Sequence, residues 1–337
     1  MKKLYIFLIL SFLFSCSDDD MTSDGNLTGF SNTQIIKGIN FITQQVVDQR
    51  SEQVNTDINH KNEFIYIGRT NTANLFILQI GKVNTTNGAV SFGNVNNINY
   101  DYGSPPSVSL NDWGKAVEVH KSNSTSNYYY RGGKITSENP LFFQFDKDNH
   151  KFDTGNSNPS IDITDGKPNF YISTVHSSHG KIYSRSATYK MNGNNETYTW
   201  EDSMPVYEGN NPRVSINNNF QAAMVFEKND GNVYIAVGIF GLNGTIVWEK
   251  PSSFGKGTEA DVHISDNGDV FCVYQNNKKI ITRTGLIQNF KSVEWSSTQY
   301  TNYIGTNPSI SSNKEVVILT YNGSTGVNWF HVGKFNY

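Results

Sequence analysis

The chain has 337 residues, a formal net charge of −3, 13% aromatic residues and only 17% charged ones. That balance leaves no basic footprint, so nucleic acid is not expected as a partner. The best helix formers are scarce beside Asn, Ser, Thr and Gly, which favours strands and tight turns.

Lys2 and Lys3 precede an apolar run from Leu4 to Phe14, broken only by Ser11. It is too short to cross a bilayer as a helix, which takes roughly 20 residues, and it has the layout of a signal peptide. Leu13-Phe14-Ser15-Cys16 follows and resembles the lipobox of bacterial lipoproteins. The resemblance implies that Cys16 is lipidated and becomes the first mature residue; a plain signal peptide with an incidental cysteine is the alternative. Ser17, Asp18, Asp19 and Asp20 come next. They resemble the export tag of surface lipoproteins in certain Gram-negative bacteria, against the simpler reading of a solvated acidic tether. The expected layout is a signal peptide over 1–15, a flexible acidic tether over 16–31 and a single domain over 32–337. The outer membrane, reached through the lipid anchor with the domain exposed at the cell surface, is the expected location.

Beyond the tether the chain repeats itself. Gly103-Ser-Pro-Pro106-Ser-Val-Ser-Leu110 returns from Gly155 to Ile163, Gly209 to Ile216, Gly257 to Ile264 and Gly305 to Ser312. The proline-equivalent positions 106, 159, 212, 260 and 308 are spaced by 53, 53, 48 and 48. A degenerate sixth copy starts near Gln53, with Val54 to Ile58 in place of the motif. In each unit the motif opens a short alternating strand, and a turn rich in Asn, Asp and Gly follows. An apolar second strand comes next, such as Val270-Phe-Cys-Val-Tyr274, then a third strand and a more polar fourth with Trp200, Trp248 or Trp295. No stretch has a capped helical period. Four strands in some 50 residues, repeated, resemble a β-propeller. The fold expected is all-β: a single propeller of six four-stranded blades, with inner strands apolar and outer strands polar. The last unit stops after its third strand, so the strand-like run over 34–48 is expected to complete it.

Aligned second strands place His120, His176, Phe226, Tyr274 and Tyr321 at one position, with Gly68 in the degenerate unit. The next residues are Arg69, Lys121, Ser177, Glu227, Gln275 and Asn322. In a propeller these strand ends lie on the face where the chain passes into the first strands. A ring of aromatic and polar groups there suits a sugar; filling of the wedges between blades is the competing reading. Arg69, His120, Lys121, His176, Glu227, Tyr274, Gln275, Tyr321 and Asn322 are therefore the candidate ligand-binding residues.

Other candidates are weaker. His176 and His179 lack further metal ligands in the sequence, and Asp146-Lys-Asp148-Asn149 lacks the glycine and glutamate of a calcium loop, so it reads as an exposed hairpin turn. With two cysteines, one of them lipidated, neither a disulfide framework nor a cysteine metal site is expected, and Cys272 in its apolar run reads as a packing residue. No metal or cofactor is assigned. Glu118, flanked by valines in a central strand, must be paired or hold a raised pKa. Asp57, Asp162 and Glu227 are conceivable partners for it in glycoside hydrolysis, but nothing pairs them in the sequence. Nucleophile-elbow, phosphate-loop and sialidase aspartate-box motifs are absent. Three functions stay open: a surface ligand-binding module for glycans, a non-catalytic structural or interaction subunit of an outer-membrane protein assembly, and a glycan-active hydrolase.

Overall fold

The structure is a computed structural model that describes residues 35–48, 51–70, 74–95, 99–166, 169–192, 195–241 and 244–337. Cys16, Ser17, Asp18, Asp19 and Asp20 lie outside the described residues.

Each repeat copy forms one antiparallel blade. Blade one runs outward from Ser51–Ile58 through Glu63–Thr70 to Leu75–Val83. The inner strands of blades two to five are Ser107–Leu110, Ser160–Ile163, Asn210–Ile216 and Thr258–Ile264. The fourth strand is split, and each piece pairs with one half of the long third strand. In blade four, Ile246–Trp248 and Ser252–Lys256 both lie against Asn232–Phe240. Strand Gln299–Ser312 serves two blades. Its first half pairs with Lys279–Gln288 at the rim of blade five, and its second half pairs with Val317–Gly323 as the inner strand of blade six. Blade six reaches only as far as Asn328–Asn336, and the N-terminal strand Gly38–Asp48 completes it in antiparallel register. The result is a six-bladed β-propeller closed by its N-terminal strand.

Second strands are largely apolar because neighbouring blades cover both of their faces, with Lys115, Glu118 and His120 of blade two among the buried exceptions. Phe64 to Ile67, Ala222 to Phe226 and Val270 to Val273 are all buried, and Phe64 and Tyr66 share a cluster with Val316, Ile318 and Phe330 of blade six. The innermost strands differ from the apolar run expected of them. They alternate, as in Val108-Ser109-Leu110 and Ile161-Asp162-Ile163, yet both halves of the alternation are buried.

The reason is that each innermost strand is a buried sheet edge. Its outward-pointing N–H groups need acceptors. The neighbouring blade's polar side chains provide them. Leu110 N donates to Asp57 Oδ2 (2.7 Å), Ile163 N to Ser109 Oγ (3.3 Å) and Ile216 N to Asp162 Oδ2 (2.7 Å). Ile264 N donates to Ser215 Oγ (3.1 Å), Ile310 N to Asp261 Oδ2 (3.0 Å), and Ile58 N to Ser311 Oγ (3.2 Å), which closes the ring. A second belt runs through the turns after the inner strands. His60 N donates to Asp112 Oδ1, Asp112 N to Asp165 Oδ1, Asp165 N to Asn218 Oδ1 and Asn218 N to Asp266 Oδ1, at 2.7 to 3.1 Å.

Closure should be the weak point of the ring. Deleting residues 38–48 bares the edge of Asn328–Asn336 and uncovers apolar surface around Ile39 and Phe335. The truncated chain is expected to melt at clearly lower temperature or to precipitate. Equal melting and solubility would show that this strand adds nothing to closure.

Candidate functional site

The repeated aromatic and the repeated glycine explain each other. A methyl group on Gly257 would sit 2.8 Å from the Tyr274 ring, and one on Gly209 would sit 2.7 Å from the Phe226 ring. His120 and His176 lie similarly over Gly103 and Gly155. In the degenerate unit the pair is reversed: Gly68 stands at the aromatic position, and a methyl group there would meet the Ser51 side chain at 2.7 Å. His120, His176, Tyr274 and Tyr321 are accordingly only 2–3% exposed. Each also packs on a second ring, His176 stacked on Tyr183 and Tyr321 on Tyr303.

The polar residues that follow them all reach the chain passing into a first strand. Arg69 pairs with Glu52 (3.3 Å), Lys121 Nζ donates to Asn156 O (3.0 Å), and Gln275 Nε2 donates to Thr258 Oγ1 (2.6 Å). Asn322 Nδ2 donates to Ser51 O (3.0 Å). Glu227 instead bonds to two residues that line the axial opening, its Oε1 accepting from Glu259 N (2.6 Å) and Asn211 Nδ2 (3.2 Å).

That opening is a polar funnel of about 140 Å³ around Arg213, lined by Asn55, Asn158, Asn211, Glu259 and Asn307 among others. Asn211, Glu259 and Asn307 occupy equivalent places in blades four, five and six, with φ of 49°, 55° and 49°. Each lies at a β-bulge, between Asn210 and Arg213, Thr258 and Asp261, and Thr306 and Ser309. Left-handed backbone at non-glycine residues, on bulges, re-aims side chains and costs free energy. The acids here hold backbone: Glu259 Oε2 accepts from Asn307 N (2.6 Å), and Asp261 accepts from Val262 N (3.0 Å) and Ile310 N (3.0 Å). Burial raises the carboxyl pKa values of Glu227 and Asp261. Sequence reasoning passed over Arg213, although it is the one arginine where other copies carry Asn55, Ser107, Ser160, Asp261 and Ser309.

Glu118 is fully buried and lies 3.0 Å from His120 Nδ1; burial raises its pKa, opposed by the histidine beside it. His176 is buried and His179 exposed. Among the described residues one group could converge on a metal, namely His60, Asp112 and Asp165 of the turn belt. Its atoms are already engaged, with His60 Nδ1 2.8 Å from Asp112 Oδ2. Below the funnel the axis is plugged. Ser109 Oγ lies 2.8 Å from Asp57 Oδ2 and 2.6 Å from Asp162 Oδ1. One hydroxyl proton serves only one of these contacts, which favours a protonated carboxyl group at the other, the direction in which burial shifts both aspartates.

No family model matches the sequence, and no curated protein matches it. Solved structures share the fold. The Penicillium chrysogenum α-L-arabinanase complexed with arabinobiose is 10% identical, with a TM-score of 0.54 over 88% of this chain and 97% of that one. A mutant of the Aleuria aurantia lectin in complex with Fucα1-6GlcNAc is 8% identical, with a TM-score of 0.56 over 87% and 97%. A fungal lectin described as a six-bladed β-propeller is 6% identical, with a TM-score of 0.55 over 87% and 97%.

The axial proton predicts a pH dependence. Burial, reinforced by the Asp57 charge, pushes the Asp162 carboxyl up to about 7 from an ordinary 3.8. A folded pKa above the unfolded one contributes stability that is full below about 4 and is lost as pH rises through about 7. His263 of the same layer, held near 4 by burial, acts in the opposite sense but only below its ordinary 6.5. Urea denaturation should therefore show stability falling from about pH 6.5 through about 7 and levelling off above, by at most about 1.4 kcal/mol per pH unit for one group. Asp162→Asn should flatten this slope; an unchanged slope would place the proton elsewhere.

Proposed function

We propose that this protein is a cell-surface lipoprotein, anchored through Cys16, that binds carbohydrate without catalysis in the funnel around Arg213. The observation that carries the reading is the set of three bulged residues, Asn211, Glu259 and Asn307, held at positive φ around that guanidinium. Amides, a guanidinium and carboxylates in near balance suit a neutral ligand with many hydroxyl groups, each of which both donates and accepts. Pro105, Pro106 and Pro308 add apolar edges to the same opening. Arg69, Lys121, Gln275 and Asn322 extend the polar surface outward for a longer chain. His120, His176, Tyr274 and Tyr321 act from beneath, by setting the floor on the motif residues.

Binding is preferred to hydrolysis because glycoside cleavage needs two carboxyl groups free to act as acid and base. At the funnel, Glu227, Glu259 and Asp261 each accept from a backbone N–H. The sugar complexes among the solved propellers lend support by analogy of fold alone.

Two experiments test the reading. Arg213→Ala combined with Asn307→Ala should weaken binding to a glycan array at least about tenfold, since hydrogen bonds to charged groups contribute roughly 1.5–3 kcal/mol. A melting curve must accompany the assay, because alanine at the left-handed position 307 is itself destabilising. A wild type that binds no glycan, or a double variant that binds as well, refutes the site. Cys16→Ala should lose incorporation of a palmitate analogue and release the protein from membranes; equal labelling would end the anchor assignment.

A further inference from the structure

Blade two departs from a pattern that blades one, four and five share. Four residues after the first turn residue, an acceptor bonds back to that residue. Asn59 Nδ2 donates to Glu63 Oε2 (2.9 Å), Asn217 Nδ2 to Gln221 Oε1 (2.7 Å), and Ser265 Oγ to Asp269 Oδ2 (2.8 Å). Blade two has Lys115 at this place, which cannot accept. Asn111 Nδ2 is left buried without a partner. A buried donor without an acceptor costs about 1–3 kcal/mol, so the lysine needs another reason to be there.

Lys115 turns away from the turn and toward the flank between blades two and three. Its side chain is 1% exposed, and Nζ lies 3.0 Å from Asp146 Oδ2 and 2.6 Å from Glu196 Oε2. Those two carboxylates form part of the wall of a cleft of about 600 Å³, together with Tyr130, His150 and Tyr198. The floor is Gly132, where a methyl group would fall 2.7 Å from Tyr198 Oη and 3.1 Å from Lys115 Nζ. Only glycine lets these groups and Asp146 meet. Arg131 fixes the hairpin that carries Asp146, donating through Nε to Asp146 O at 2.9 Å and through Nη2 to Lys147 O at 2.8 Å. Tyr198 Oη is itself buried without a hydrogen-bond partner. The Tyr130 ring stands 4.9 Å from Tyr198 and 5.3 Å from His150.

We propose that this flank cleft is a second carbohydrate site, which takes adjacent hydroxyl groups of a neutral sugar between Tyr198, Asp146, Glu196 and Lys115. The inference rests on the reading of the protein as a sugar binder but not on the funnel as its site. The chemistry selects the ligand class. Asp146, Asp148 and Glu196 face Lys115 and Lys147, a near balance that favours neither anion nor cation. A hydroxyl group donates to a carboxylate and accepts from the Tyr198 hydroxyl at once, and aromatic walls suit the apolar face of a sugar ring.

The test uses the full-length protein labelled with fluorotyrosine, titrated with D-glucose, D-galactose, D-mannose and L-arabinose and followed by ¹⁹F NMR. At least one sugar should shift the Tyr130 and Tyr198 signals, in wild type and in Arg213→Ala alike. Glu196→Gln should weaken that response about tenfold or more, as loss of a charged acceptor implies. Tyr198→Phe removes only an unpartnered hydroxyl, so it should melt no lower than wild type yet bind more weakly; a purely structural tyrosine would leave affinity unchanged. Sugar-induced shifts confined to other tyrosines, with Glu196→Gln binding normally, would overturn the second site and leave the funnel standing. Shifts at Tyr130 and Tyr198 that persist in Arg213→Ala retain the cleft and leave the funnel to the glycan array, because no tyrosine is among the residues that line the funnel. Silence with all four sugars overturns the cleft, and the array then decides the funnel separately.

Discussion

The unpaired edge of the innermost strand governs much else in this structure. Six such edges meet near the axis, buried from the surface. Serine, aspartate and asparagine on each inner strand accept the N–H groups of the neighbouring blade, and the bonds within the ring span 49 to 54 residues, about one repeat. The bonds span one repeat because they join equivalent positions of neighbouring blades. A leucine at Asp57 or Asp162 would leave buried donors unsatisfied, at about 1–3 kcal/mol each.

This way of tying blades together fills the axis. Carboxylates that accept several N–H and O–H groups crowd one another, and Ser109 between Asp57 and Asp162 shows the consequence: a proton stays where none would at the surface. The propeller has no through-channel at that level, so ligand chemistry is confined to the ends and the flanks. The bulges at Asn211, Glu259 and Asn307 mark one end, where three inner strands leave regular geometry just as they reach solvent.

Much of the architecture was legible in the sequence. Spacing of the motif set the blade count, the truncated last unit called for an outside strand, and the run over 34–48 supplied it. The ties themselves were not legible, because a buried serine alternating with valine has the same pattern as a serine facing water. The split fourth strand was hidden for a similar reason, since two short polar pieces and one long polar strand differ only in register. The recurring aromatic was visible, but its partner was not. Gly68 and Ser51 carry the signal that would have revealed it: where the aromatic is missing, the glycine is missing too. Such a reciprocal exchange is what a packed pair leaves in a repeat, whereas a ligand-facing ring has no need of a matched glycine.

The same comparison within the repeat separates scaffold from chemistry. Positions at which most units agree in kind are those that hold the ring: acceptors on inner strands, glycine against aromatic, and a side-chain oxygen from Asn, Ser or Thr at the turn. Positions at which one unit departs, at a structural cost, stand out against that background. Arg213 puts a guanidinium into a layer of small acceptors, and Lys115 deprives Asn111 of its partner in order to reach Asp146 and Glu196. Each departure gives up the bond that other copies make at that place and makes ion contacts of its own instead. In a protein built from near-copies, a stable alternative is on display in the next blade, and a residue that forgoes it is retained for something other than stability.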